Sequence, residues 1–313
     1  MEIFTSCVLF LTGILLVIKG GDWFVDAAGA IARALNIPTF IIGATIVSLA
    51  TTMPEMLVSV IAAAGGKVDM AVGNAVGSVT ANTALIMAIG MIAMSIACER
   101  RQYLRQLLLW VAASSVLLVS CLSGRLSILG SAVLAVIFIL FMVQNVLSAK
   151  KSAPQSETAQ AEERKGLGKY AALFIVGAGA IVGGSQLMVT YGSKIAAFLG
   201  VPERIVAVTL IAVGTSLPEL VTTVTAIVKK EAALSIGNII GANIIDLSLI
   251  LPVCSLVSGQ ALPVAAQSIS IDLPACLIVT LIAALPLIFR QKASKLQGIA
   301  LLCAYALYLV LVI

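Results

Sequence analysis

The stretch ATTMPE at 50–55 returns as GTSLPE at 214–219, 164 positions later. The same offset pairs Gly20 with Gly184, Pro38 with Pro202, Thr51 with Thr215 and Pro54 with Pro218. It continues through GNAVGS (73–78) and GNIIGA (237–242), and it sets Asn82 opposite Asp246. A gapless register over more than sixty residues is an internal duplication, so the fold must be built from two copies of one unit.

Both copies lie within long apolar runs. Such runs fall near 4–34, 38–64, 69–97, 106–123, 127–148, 170–199, 203–228, 232–257, 270–289 and 297–313. The chain is 61% hydrophobic and 11% charged, with mean hydropathy +1.14. Soluble domains are about half apolar and about a quarter charged, so this composition implies an integral membrane protein. A spanning helix needs about 20 apolar residues, and each run is read as one span. The first lacks a basic leader and a small-residue cleavage site, so it is read as a span rather than a signal peptide. The one long polar stretch, 150–169, reads as a flexible linker.

Five spans per half is an odd number, so the second copy enters the membrane from the opposite side. The charges test this. One side collects Arg33, Arg100, Arg101, Arg105, Lys150, Lys151, Arg164, Lys165, Lys169, Lys229, Lys230, Arg290, Lys292 and Lys295. The other collects Lys67, Arg125 and Arg204. Cytoplasmic loops carry the excess of Lys and Arg, which places the linker in the cytoplasm and both termini outside. The expected fold is an all-α integral membrane protein of ten transmembrane helices. It forms two inverted five-helix repeats, 1–149 and 170–313, around the linker 150–169. Inverted repeats with Gly/Pro-interrupted helices are the mark of secondary transporters, whose site lies near the bilayer midplane.

The proline motifs carry the chemistry. Proline has no amide donor and clashes with the carbonyl four residues back, so Pro54 frees the Ala50 carbonyl and Pro218 that of Gly214. Unwound backbone inside a membrane survives only where protein or a water-lined cavity satisfies it. Thr51, Thr52 and Glu55 surround the first break; Thr215, Ser216 and Glu219 surround the second. Spacings of four set Thr51 with Glu55 and Thr215 with Glu219 on one helix face. Two facing carboxylates, hydroxyls and carbonyls suit Ca²⁺, which takes about 6–8 oxygen ligands, better than Mg²⁺ with its tight octahedron. Intramembrane acids are functional by default.

The glycines of the second motif, spaced by four, allow close helix approach. Its polar end is unequal between copies: Ser78 and Asn82 in one, Ala242 and Asp246 in the other. A third acid gives the site up to three negative charges. A proton on Asp246, or several monovalent cations, would neutralise what one Ca²⁺ leaves. The chain has no histidine, and its six cysteines are scattered without a metal or redox spacing. The net charge of +5 sits in loops between apolar runs and is no nucleic-acid signature. Lys19 and Lys194 fall inside runs and are expected to snorkel to the surface.

On these residues the chain resembles the cation/Ca²⁺ exchanger superfamily, with its two inverted alpha repeats. GTSLPE with GNIIGANIID (237–246) is similar to the second repeat, and ATTMPE with GNAVGSVTAN (73–82) to the first. The resemblance implies a ten-helix Na⁺/Ca²⁺ antiporter, not an enzyme, with alpha motifs over 43–90 and 207–254. It implies Ca²⁺ held by Glu55 and Glu219, with backbone oxygens at Thr51 and Thr215. It implies Na⁺ sites drawing on Thr51, Ser78, Thr215, the two glutamates and carbonyls at Ser48 and Ala212, with Asn82 and Asp246 lining the cluster. The two long helices at 4–34 and 170–199 would slide to alternate access. No cofactor and no obligate protein partner is expected, only the ions and the bilayer of a cell membrane. Ala50 and Ala242 depart from the glycine and serine usual in relatives. The Asn82/Asp246 asymmetry resembles prokaryotic Na⁺/Ca²⁺ exchangers more than the K⁺-dependent branch. A H⁺/Ca²⁺ or a K⁺-dependent Na⁺/Ca²⁺ antiporter on the same fold is the alternative.

Overall fold

A computed structural model of the chain describes residues 2–93, 100–150, 166–200 and 214–312. The helices are α1 (Glu2–Leu35), α2 (Thr39–Thr51), α3 (Met53–Ala64), α4 (Val68–Ala93), α5 (Arg100–Cys121) and α6 (Ile128–Lys150). After the linker come α7 (Leu167–Phe198), α8 (Leu217–Val228), α9 (Ala232–Ser258), α10 (Ser268–Arg290) and α11 (Lys295–Val312). In a bilayer every backbone polar group must bond within the protein, and the α-helix does so inside one segment. The described helix boundaries follow the apolar runs.

Eight described helices are long and apolar enough to span, or nine when α2 and α3, bent by 46° at their junction, count as one. The expected run at 203–228 is described only as α8, which is shorter. Its first part, with Pro202, Arg204 and Ala212, lies outside the described residues, as does Cys98. One correction to a purely helical fold is small. Arg125–Leu126 and Leu262–Pro263 form an antiparallel pair of two-residue strands, β1 and β2. They join the α5–α6 and α9–α10 turns, which the span count puts on one side.

The turns repeat as faithfully as the motifs. α1 ends with Asn36 at φ 54° and α7 with Gly200 at φ 76°. α3 ends with Gly66 at φ 76° and α8 with Lys230 at φ 60°. Each pair is separated by the repeat offset, and each residue is in the left-handed conformation that closes a helix. Asn36 and Lys230 therefore hold a geometry their twins leave to glycine. At the cytoplasmic end of the expected topology, Lys229 reaches Asp26 at 2.8 Å and Asp22 at 3.5 Å. The α8–α9 turn thus sits beside the last turns of α1.

Two packing units result. α4 and α9 are central, with 78% and 83% of their apolar windows buried, against 22% for α1 and 17% for α11. Around them α2, α5, α6, α10 and α11 build the main core, which takes in Trp110, Phe141, Ile240 and Leu251 but no residue of α1 or α7. α1 and α7 form an antiparallel pair within a second core, which includes stacked Phe24 and Phe174 at 4.4 Å and also takes in Ile42 and Val47 of α2, Ala226 of α8 and Leu234 of α9. Gly13 lies against the Gly184 carbonyl and Gly20 against that of Gly177, so that an added Cβ would come within 2.8 and 2.9 Å. Gly13 and Gly177 are repeat twins, and so are Gly20 and Gly184. The contacts therefore exchange as a local two-fold axis requires. Lys19 is exposed, and Lys194 lies 4.9 Å over the Tyr191 ring.

Candidate functional site

Both proline motifs break their helices in the same way. Thr52, at φ −83° and ψ −2°, and its twin Ser216, at φ −87° and ψ 7°, precede helices with proline in the first turn. That is where proline is tolerated, because the first turn has no intrahelical acceptor for its amide. The first-turn bonds match: Met56 N–H to the Thr52 carbonyl and Leu220 N–H to that of Ser216, each 3.0 Å. Glu55 and Glu219 occupy these first turns, where the helix dipole favours an anion.

The carboxylates face inward. Glu55, Glu219 and Asp246 are fully buried, and none of their six oxygens has a hydrogen-bond partner. The Thr51 hydroxyl lies beside Glu219. Glu55 interacts electrostatically with both Glu219 and Asp246, and Asp246 with Glu219. Asn82 completes the group, fully buried and with both amide atoms unpartnered.

Asn82 and Asp246 each begin a π-helical turn, Asn82–Met87 in α4 and Asp246–Ile250 in α9. A third such turn, Gly43–Val47, precedes the first break. π-turns widen the helix, and they gather at functional sites. Periodicity could not foretell them, because they change the hydrogen-bond pattern without changing the apolar pattern.

The remaining expected residues divide. Thr51, Thr52, Ser78 and Ser216 are buried at the site's level, and the Ser216 hydroxyl is unpartnered. Thr215 is part-exposed. Ser48, expected as a carbonyl ligand, is buried. Its carbonyl already accepts the Thr52 amide at 2.9 Å, the Thr51 hydroxyl at 3.3 Å and the Thr52 hydroxyl. A cation would have to displace one of these donors. Ala212 lies outside the described residues. The close approach expected of the glycine motif is seen in the second copy. Gly237 and Gly241 press on the Phe40 and Ala44 carbonyls; positions 204 and 208, which the repeat sets opposite Gly73 and Gly77, lie outside the described residues.

Some polar groups escaped the sequence reading. Asn238 accepts the Thr51 hydroxyl at 3.1 Å, and Asn74 donates to the Ser59 hydroxyl at 3.0 Å. Their recurrence within the GN dipeptides was the available signal. Asp272, in a fourth π-turn, accepts from Ser268 at 2.8 Å and Tyr308 at 3.1 Å. It stood visible as an acid in the ninth apolar run. Among the described residues no three Asp, Glu, Cys or His side chains gather tightly enough to grip a metal alone. A cation here must draw on hydroxyl, amide and main-chain oxygens as well.

Comparison with known proteins gives a consistent picture. The profile of a family described as "Sodium/calcium exchanger protein" matches residues 5–147 and 169–313, one stretch on each side of the linker. The chain is 31% identical over 309 residues to the putative antiporter CaxA of Alkalimonas amylolytica, covering 97% of each chain. It is 33% identical over 303 residues to the inner membrane protein YrbG of Escherichia coli, covering 94% of this chain and 92% of that one. The sodium/calcium exchanger MaX1 of Methanosarcina acetivorans is 27% identical over 343 residues, covering 96% and 97%. Among solved structures, one of the sodium-calcium exchanger NCX_Mj superposes with a TM-score of 0.85 at 28% identity, covering 97% of both chains.

Proposed function

The chain belongs to the sodium/calcium exchanger family, and we propose that it is a Na⁺/Ca²⁺ antiporter working by alternating access at one shared site. A single observation carries this reading: six buried carboxylate oxygens, from three acids on both repeats, have no protein partner. Ionised carboxylates are not buried unpaired, because removing them from water is strongly unfavourable. A cation substrate resolves the conflict. Glu55 and Glu219 supply two charges for Ca²⁺, and Thr51, Thr52, Ser78, Thr215, Ser216 and Asn82 surround them with neutral oxygens. Asp246 adds the third charge, which sodium ions would neutralise together with the glutamates when they replace Ca²⁺.

Competition for one site gives exchange only if each ion favours passage between two states through different contacts. The α1/α7 pair supports such a change. Its glycine seam joins its two helices to each other, and it lies outside the main core, meeting α2, α8 and α9 in a second one. Sliding this pair past the α4/α9 core would open the site to one side and then the other. The reading keeps ten spans in two inverted repeats, 1–149 and 170–313, both termini outside and the linker in the cytoplasm of a cell with this protein in its plasma membrane. The paired turns at each end of the bundle agree with that count.

The test is ⁴⁵Ca²⁺ flux in proteoliposomes with Na⁺, K⁺ and pH gradients imposed one at a time. Uptake driven by an outward Na⁺ gradient alone is expected. Uptake driven by a pH gradient in the absence of Na⁺ would replace the Na⁺ reading with a H⁺/Ca²⁺ one. A requirement for K⁺ would move the protein to the K⁺-dependent branch.

A further inference from the structure

Asn74 and Asn238 are repeat twins outside the ion-ligand set proposed above, and the duplication lets their surroundings be compared atom by atom. In the first half, Asn74 Nδ2 donates to the Glu55 main-chain carbonyl at 3.3 Å and to Ser59 Oγ at 3.0 Å. This clamps the first turns of α3 to α4, so the Glu55 backbone is tied to the helix that carries Asn82.

The equivalent clamp in the second half would join Asn238 Nδ2 to the Glu219 carbonyl and to Thr223, the twin of Ser59. It is open. Asn238 Nδ2 and Thr223 Oγ1 are both buried and both without a partner. Asn238 instead turns its Oδ1 to the other repeat and accepts the Thr51 hydroxyl at 3.1 Å. The twin of that bond, Thr215 to Asn74, is not made among the described residues. One half is thus clamped within itself and the other is tied across, and the two arrangements convert into each other by the repeat's own two-fold.

We propose that Asn74 and Asn238 are positioning residues that exchange these roles when the protein turns between its two facing states. In the opposite state Asn238 clamps α8 to α9 through the Glu219 carbonyl and Thr223, and Asn74 accepts the Thr215 hydroxyl. Buried polar groups left unpaired are unfavourable. Each state therefore leaves one unpaired set and satisfies the other, which keeps the two states close in free energy. The exchange also decides which threonine hydroxyl is tied to an amide of the other repeat: Thr51 here, Thr215 in the opposite state. This inference rests on the alternating-access reading.

Ser59→Ala and Thr223→Val test it, because each removes one hydroxyl outside the ion site with little change of shape. Full-length protein is reconstituted in oriented proteoliposomes, and the Ca²⁺ concentration for half-maximal flux is measured at each face. Ser59→Ala weakens the state described here, and Thr223→Val weakens the opposite one. The ratio of the two half-saturation values should therefore shift by about fivefold, in opposite directions for the two variants, as expected for one hydrogen bond. A shift in the same direction, or active variants with an unchanged ratio, would overturn the exchange of roles. Should either variant fail to reconstitute, Ser59→Gly and Thr223→Ala read the same ratio. Wild-type flux is measured first. Its absence would overturn the exchanger reading and this inference together, whereas wild-type flux with an unmoved ratio overturns this inference alone.

Discussion

Helices α4 and α9 descend from one unit and occupy matching central places, 78% and 83% buried over their apolar windows, yet they are built and equipped differently. α9 lies hard against α2, with Gly237 and Gly241 on its backbone. α4 ends its α-helical stretch on Ser78 and Asn82, α9 on Ala242 and Asp246. The shared features are backbone ones: the break, the left-handed caps and the π-turns. The divergent ones are side-chain features that set charge and contact. Duplication preserved a scaffold and left its two copies free to specialise, one toward a neutral amide and the other toward a third acid.

The comparison is most severely tested at the residues the copies share. Glu55→Gln and Glu219→Gln should each reduce ⁴⁵Ca²⁺ flux by at least about a hundredfold, because losing one of two facing charges removes several kcal/mol of attraction for a divalent ion. Near-normal flux in both would displace Ca²⁺ from this site. The close packing of α9 on α2 comes next. A Cβ at Gly237 would meet the Phe40 carbonyl at 2.2 Å, and forcing helices apart destabilises by about 1–3 kcal/mol or more. Gly237→Ala should lower the thermal unfolding midpoint in detergent by several degrees. An unchanged midpoint would mean that α9 does not depend on this approach to α2.

The charge asymmetry predicts a smaller, selective effect. Asp246→Asn makes the copies alike and should raise the Na⁺ concentration for half-maximal exchange about tenfold, about 1.4 kcal/mol, with a lesser change for Ca²⁺. Equal loss for both ions would assign Asp246 to Ca²⁺ instead. The smallest effect is expected from Ala242→Ser, which restores to α9 the hydroxyl that α4 carries at Ser78. It should lower the half-maximal Na⁺ concentration about two- to threefold, as one added neutral oxygen within about 0.5–1.5 kcal/mol would. An unchanged Na⁺ curve would show that position 242 does not face the sodium path.

Much of this molecule could be read before any coordinates, because the signals are linear. The apolar runs report which segments need helical hydrogen bonding. The 164-residue offset reports two copies, and Glu55, Glu219 and Asp246 stand out as acids where water is absent. These depend on residue type and order alone. What tertiary structure decided depends on which atoms meet across the fold. It closed α1 and α7 into a glycine-seamed pair, turned Asn82 and Asp246 on π-helical turns, and filled the Ser48 carbonyl with hydroxyl and amide donors. It also set Asn74 and Asn238, identical in sequence context, into opposite hydrogen-bond roles. A duplicated sequence makes such twins equivalent on paper. Only the packing of one copy against the other gives each a different neighbour, and with it a different role.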